Sequence, residues 1–259
     1  MESGQAVTAV APVLCAGVGA RHEGRWVLRM TSFRLEQSDL GSASLGVLTP
    51  RTPAAVALIG LLSGRIVPAY GSLRVLGHDM SQAAGRAAVR RRSGIAGRAA
   101  RPMPVPAVRI RTLVERAARR SGQPPEARFL LVAAILDRLA LTPWAEVPIV
   151  AAPELIARKA RLAVACVHQP SLLIIDGLLD HLQPLDRTVL ADAIRDLGRD
   201  TALIALGGDT ETLSLVCDRV IELADGMIVG SQTAAAGNAA QTPQQVRAPV
   251  APRTATALT

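Results

Sequence analysis

A single lysine, Lys159, stands among 29 basic residues, and the other 28 are arginine. Chemistry that needs a lysine elsewhere in the chain, whether a Schiff base or an ammonium gripping phosphate, is therefore excluded. The four histidines, His22, His78, His168 and His181, show no metal-ligand spacing and are expected to be surface or hydrogen-bonded residues. Cys15, Cys166 and Cys217 are odd in number and far apart, with no CxxC pair. That argues against a disulfide framework or a zinc site and for three small buried hydrophobes. Asp176 closes the apolar run Leu172–Ile175, where it caps the following turn or serves as a remnant metal ligand. Charge is concentrated in residues 86–128, which hold twelve arginines against Glu115 and Glu126. Such a stretch makes a solvated face, or a surface for an anionic membrane, nucleic acid or an acidic partner. With only Trp26, Phe33, Tyr70, Phe129 and Trp144 as aromatics, a base-stacking platform is hard to build, which disfavours nucleic acid.

The elements that must position these residues come from the apolar pattern. At 259 residues and 49% hydrophobic the chain can bury a core, and its mean hydropathy of +0.29 argues against disorder throughout. No uncharged apolar run reaches the ~18 residues of a membrane span; Ala54–Leu62 and Leu130–Leu136 are core-sized. Met1–Ala20 lacks a basic start, and Cys15 follows Leu14 rather than a small residue, so a cytoplasmic chain is expected. Leu45–Leu48, Leu172–Ile175, Ala202–Leu206 and Val220–Leu223 are predicted to be buried strands. Helical spacing links Ile110, Leu113, Val114 and Ala117; then Phe129, Val132, Ala133 and Leu136; then Leu185, Val189, Leu190, Ile194 and Leu197. The alternation implies an α/β fold with a parallel sheet, into which a mostly helical subdomain at about 98–165 is inserted. Residues 1–12 are expected to be a poorly ordered leader, 13–230 the folded domain, and 231–259 (Ala, Thr, Gln and Pro, with two arginines and no acid) a disordered tail.

The order of five segments resembles the ATP-binding subunit of an ABC transporter. VLCAGVGARHEGRWVLRMTSFRL is similar to that family's opening strands, LGVLTPRTPAAVALIGLLSG lies where its phosphate loop and helix would be, and AYGSLRVLGHD matches the following hairpin. VHQPSLLIIDG corresponds to the second nucleotide motif, and CDRVIELADGMIVG to the last strands. The resemblance implies a P-loop NTPase-like core, MgATP as cofactor if the site is competent, and an integral membrane transport protein as partner. It also implies a homo- or heterodimer, or a pairing with a competent ATPase subunit, at the inner face of the membrane.

A GxxxxGK[ST] loop needs glycines whose amides point inward, a lysine for the β/γ-phosphates and a hydroxyl for Mg²⁺. The matching positions run Thr49, Pro50, Arg51, Thr52, Pro53, Ala54, Ala55 and Val56. Both glycines, the lysine and the hydroxyl are replaced, and Pro53 removes an amide. Charged hydrogen bonds contribute ~1.5–3 kcal/mol each, so their joint loss could erase the roughly 8 kcal/mol of micromolar binding. Arg51 could return one charge. The resemblance places Asp176 at the carboxylate that holds Mg²⁺ through water, Gly177 at the polarising glutamate, Gly208 at the switch histidine before a retained Asp209, and Arg98 at the glutamine. The signature LSGGQ falls on Ala152, Pro153, Glu154, Leu155 and Ile156, and the adenine-stacking aromatic falls on His22. The family's membrane partner would meet roughly Gly97–Arg128, with Arg98, Arg109, Arg116, Arg119 and Arg120 at the interface.

Three functions follow. One is a pseudo-ATPase with the family fold, serving as a structural or regulatory partner of a membrane transport protein. Another is a divergent ATP-binding subunit that still binds or hydrolyses ATP. The third is an arginine-rich protein for anionic surfaces or nucleic acid, whose binding would weaken steeply with salt.

Overall fold

The computed structural model describes residues 11–36, 43–50, 52–97 and 108–233. Two sheets organise it. The chain opens with strands β1 (Val13–His22) and β2 (Arg25–Leu35), then β3 (Ser44–Leu48) and helix α1 (Pro53–Leu62). Next come β4 (Tyr70–Val75), β5 (His78–Asp79), α2 (Ala83–Arg92) and β6 (Ser93–Gly97). A helical stretch follows: α3 (Ile110–Ala118), α4 (Pro125–Arg138) and α5 (Glu154–Cys166). The chain then alternates through β7 (Leu172–Asp176), α6 (Pro184–Gly198), β8 (Ala202–Gly207) and α7 (Thr210–Ser214), and ends in the hairpin β9 (Arg219–Ala224) and β10 (Met227–Thr233).

The larger sheet has the order β10-β9-β3-β8-β7-β6, parallel except for β10. The smaller is antiparallel, in the order β2-β1-β4-β5. A parallel strand covered on both faces reads as an unbroken apolar run, and β7 shows why. Leu172 and Ile174 join the core shared with α1 and the small sheet, while Leu173 and Ile175 join the core under α3 to α7. α1 lies between the two sheets, so eight of its ten residues are buried. Gly94 in β6 is a position of close approach: a Cβ there would stand 2.2 Å from the Ala165 carbonyl oxygen of α5.

The four predicted strands form within a residue of their expected ends, and the three helical patterns become α3, α4 and α6. Two faces differ from expectation. In α4 the buried residues are Val132, Ile135 and Leu136, whereas Phe129 is 67% exposed and Ala133 is also outside. In α6, Leu185 is 76% exposed and Val189 is on the surface. Each helix buries the arc set by its neighbours, and these residues fall outside it. The boundary expected at 231 also moves, because Ser231–Thr233 complete β10 by pairing with β9. Residues 1–10, 98–107 and 234–259, and with them most of the expected leader and tail, lie outside the described residues. Among the described residues no helix is long and apolar enough to cross a membrane.

Candidate functional site

Parallel pairing brings the resembling motifs together at the C-terminal ends of β3, β7 and β8. The Thr49 N–H donates to the Gly207 carbonyl at 3.0 Å, and the Gly177 N–H donates to the Leu206 carbonyl at 2.9 Å. Thr49–Val56, Asp176–Gly177 and Gly208–Asp209 therefore surround one end of the sheet, as the resemblance implies. Arg51 and Arg98 lie outside the described residues.

The start of α1 is an ordinary capped helix. Thr52 has extended backbone angles, and its side-chain oxygen accepts the Ala55 N–H at 3.4 Å. Pro53 occupies the first turn, where its missing N–H costs nothing. The Val56 N–H already bonds the Thr52 carbonyl at 3.2 Å. Amides that a phosphate would recruit at a helix N-terminus are thus absent at 53 and engaged at 55 and 56. Ala54 and Ala55 are 8% and 5% exposed and belong to the core shared with the small sheet, while Val56 is exposed. Thr49 is buried, its hydroxyl donating to the Pro50 carbonyl at 3.1 Å.

Gly177 has φ +60°, the left-handed region that strains other residues. Glycine therefore serves the turn after β7. Arg158 holds that turn: its Nη1 donates to the carbonyls of Gly177, Leu178 and Asp180 at 3.2, 2.7 and 3.1 Å, and its Nε bonds Glu154 at 2.6 Å. Sequence reasoning missed Arg158. The Glu154–Arg158 spacing of four was visible, but the carbonyls it reaches were not. Glu154 also puts a carboxylate in the first turn of α5. Asp176 ends β7, half-buried.

Gly208 is exposed with open space around it. Asp209 caps α7, its carboxylate accepting the Thr212 N–H at 2.7 Å. Desolvation pushes that carboxyl up, but hydrogen bonds from Thr212 and the nearby Arg187 outweigh it and hold it below the usual aspartate range. His22 ends β1 on the surface, 4.0 Å from Glu23. Beside it Arg21 lies 4.2 Å over the Trp26 ring, which packs at 5.2 Å on Tyr70; sequence spacing gave no hint of this stack.

The arginines of the expected interface divide. Arg109 and Arg111 both bind Glu146, at 3.1 and 2.7 Å. Arg111 foremost, and Arg109 after it, hold the Glu146 carboxyl below its ordinary range against a smaller opposing effect of burial. Arg116, Arg119 and Arg120 are exposed and make no ion pair among the described residues. All three cysteines are buried, which pushes the Cys15 and Cys166 thiols up to about 12 and the Cys217 thiol also far up. They stay protonated and inert. Among the described residues, no group of three His, Cys, Asp or Glu side chains could hold a metal ion.

No protein-family model matches this chain, and no curated protein sequence does. Solved structures do. CbiO1 from Clostridium perfringens, described as part of the ABC transporter complex CbiONQ, aligns with a TM-score of 0.75 at 15% identity, over 86% of this chain and 89% of its own. The fold is that of ABC transporter ATP-binding subunits. A second structure, described as the ATP binding subunit of an ABC transporter, aligns with a TM-score of 0.70 at 16% identity, over 85% and 89% of the two chains. At such identities what is shared is the fold, and the chemistry rests on the residues present.

Proposed function

We propose that this chain is an ABC ATP-binding-subunit-like protein that does not hydrolyse ATP. In this reading it serves at the inner face of the membrane as a structural or regulatory partner of an integral membrane transport protein. It pairs there with a second copy or with a competent ATPase subunit. The observation that carries the reading is the start of α1: Thr52 caps Ala55, and Ala55 stands buried where a phosphate-binding lysine would extend. Gly177 and Gly208 add to it, because neither has a side chain to orient water or sense a γ-phosphate. Asp176 alone cannot make a magnesium site without a phosphate beside it.

The partner surface is carried by Arg116, Arg119 and Arg120 at the end of α3, which make no ion pair among the described residues, rather than by Arg109, which Glu146 neutralises in part. Such a surface suits a cytoplasmic segment bearing acidic residues. Two measurements test the proposal. Calorimetry with MgATP should give no saturable heat at micromolar concentrations, and steady-state assays no turnover above background; a micromolar, Mg²⁺-dependent site would overturn the pseudo-ATPase reading. A pull-down from detergent-solubilised membranes should recover a transport protein with the native chain and much less with Arg116, Arg119 and Arg120 changed to Glu. Recovery of none would overturn the partner role.

A further inference from the structure

We propose that the pole of the molecule opposite the motif-bearing end binds a phosphate group carried on a small apolar body. The inference goes beyond the reading above and does not depend on it. The parallel strands have two ends, about 17 Å apart for a five-residue strand. Thr49, Asp176 and Gly208 mark the C-terminal one. At the other, Arg92 ends α2 just before β6, Ser171 precedes β7, and Arg199 and Thr201 lie between α6 and β8. These four residues, together with the apolar Pro12, Ala43 and Leu76, line a groove of about 530 Å³.

The charge in this groove is not balanced. Asp200 also lines it but stands 3.7 Å from Arg138 Nη2. Arg199 Nη1 is 3.7 Å from Asp196 Oδ1, and Arg138 Nε holds the same carboxylate at 2.7 Å through Oδ2. Two arginines thus face two aspartates, and Arg92 is in surplus. Among the described residues its Nε and Nη2 donate to the hydroxyl of Ser171, at 3.3 and 3.1 Å, and it pairs with no carboxylate. Arg120 is close enough to depress the protonation of His168, whose Nε2 lies 3.3 Å from the carbonyl oxygen of Ser93, the residue after Arg92. Ser93 and His168, 75 residues apart in sequence, are thus brought together beside Arg92.

An arginine at the end of a helix also complements the helix dipole, and Arg92 does so for α2. Arg199 does the same as the C-cap of α6, but that role does not account for both arginines meeting Ser171 and the apolar Pro12, Ala43 and Leu76 in one groove. Guanidinium groups bind phosphate through paired N–H donors, and the Ser171 hydroxyl that Arg92 contacts adds a further donor, whereas the Thr201 hydroxyl already donates to the Pro170 carbonyl at 3.2 Å. A bare inorganic ion would leave Pro12, Ala43 and Leu76 facing water, so the ligand carries an apolar part beside its phosphate. The same chemistry belongs to a soluble phosphomonoester and to the headgroup of an acidic phospholipid.

The test uses the full chain and two probes: phenyl phosphate in solution, and phosphatidylcholine vesicles with and without phosphatidic acid. Binding is read by calorimetry or co-sedimentation, together with the NMR signal of the His168 ring. Saturable binding of either probe is expected, with the His168 titration moving up as the added anion offsets the arginines. Arg92→Ala and Arg199→Ala should each weaken it about tenfold or more, and Arg29→Ala, on exposed β2, should leave it unchanged. Binding of phenyl phosphate identifies a soluble ligand; binding only of phosphatidic acid vesicles identifies a lipid. Arg199 is 78% exposed, so its variant is decisive even if the loss of Arg92 disturbs folding. No saturable binding of either probe, or binding that both variants retain in full, overturns the proposal.

Discussion

Ala55 and Gly177 each have a local reason to be what they are. Ala55 faces the core under α1, so Ala55→Lys would force an ammonium into packed apolar surroundings. It should lower stability by about 1–3 kcal/mol in urea unfolding and restore no hydrolysis, because the capped helix start still lacks its phosphate amides. Gly177→Glu would place a carboxylate at φ +60°, at a cost of roughly 1–2 kcal/mol, again without turnover. His168 carries a pH dependence. Burial foremost, with Arg120 adding to it, lowers its pKa, while the Ser93 carbonyl works the other way. The unfolded chain therefore takes up a proton more readily than the folded one. Stability should be level above about pH 6.5, decline as pH falls from there to the lower folded value, and lose that slope in His168→Gln. Asp209 acts in a separate, more acid window. Its carboxyl is held low, so its contribution persists above the ordinary aspartate value and is lost as pH drops through the folded one.

Among elements, α5 and the turn after β7 are joined by Arg158, whose side chain is only 13% exposed. Three carbonyls and a carboxylate share that guanidinium, so Arg158→Ala leaves several half-buried acceptors without a donor. Hydrogen bonds to a charged group contribute ~1.5–3 kcal/mol, so Tm should fall by roughly 5 °C. Amide exchange from Leu178 to Asp180 should quicken more than in β7. If exchange there stays at the native rate, Arg158 does not hold the turn. The helices show where pattern reading has its limit. The 3.6-residue spacing of α4 and α6 was plain in the sequence, and both helices form. Which apolar residues turn inward was not, because Phe129 and Leu185 satisfy the same spacing yet lie outside the arc their neighbours cover.

For the whole molecule, the arginine surplus is divided by the fold between two settings. Near the start of α3, Glu146 takes up Arg109 and Arg111. At its far end, Arg116, Arg119 and Arg120 stay in water. Changing those three to Glu should shift Tm by no more than about 2 °C, since exposed charges contribute little to stability, while raising the mobility toward the anode. A large fall in Tm would mean these residues carry structural contacts after all.

The sequence by itself determined the order of four buried strands and three helices, the parallel sheet, and which residue types stand at 49–56. Those properties reside in local apolar runs, in spacing and in the identities of residues 49–56. It also determined that no lysine other than Lys159 could act. Only the tertiary structure decided which groups meet at the two ends of the parallel sheet. The Arg158 bonds to the turn after β7 and the meeting of Arg92 and Arg199 at one pole, with His168 against Ser93, each join groups whose proximity depends on how strands β6, β7 and β8 stack side by side. Hydrogen bonds to backbone carbonyls leave no mark in residue type, and a groove between elements has no sequence period.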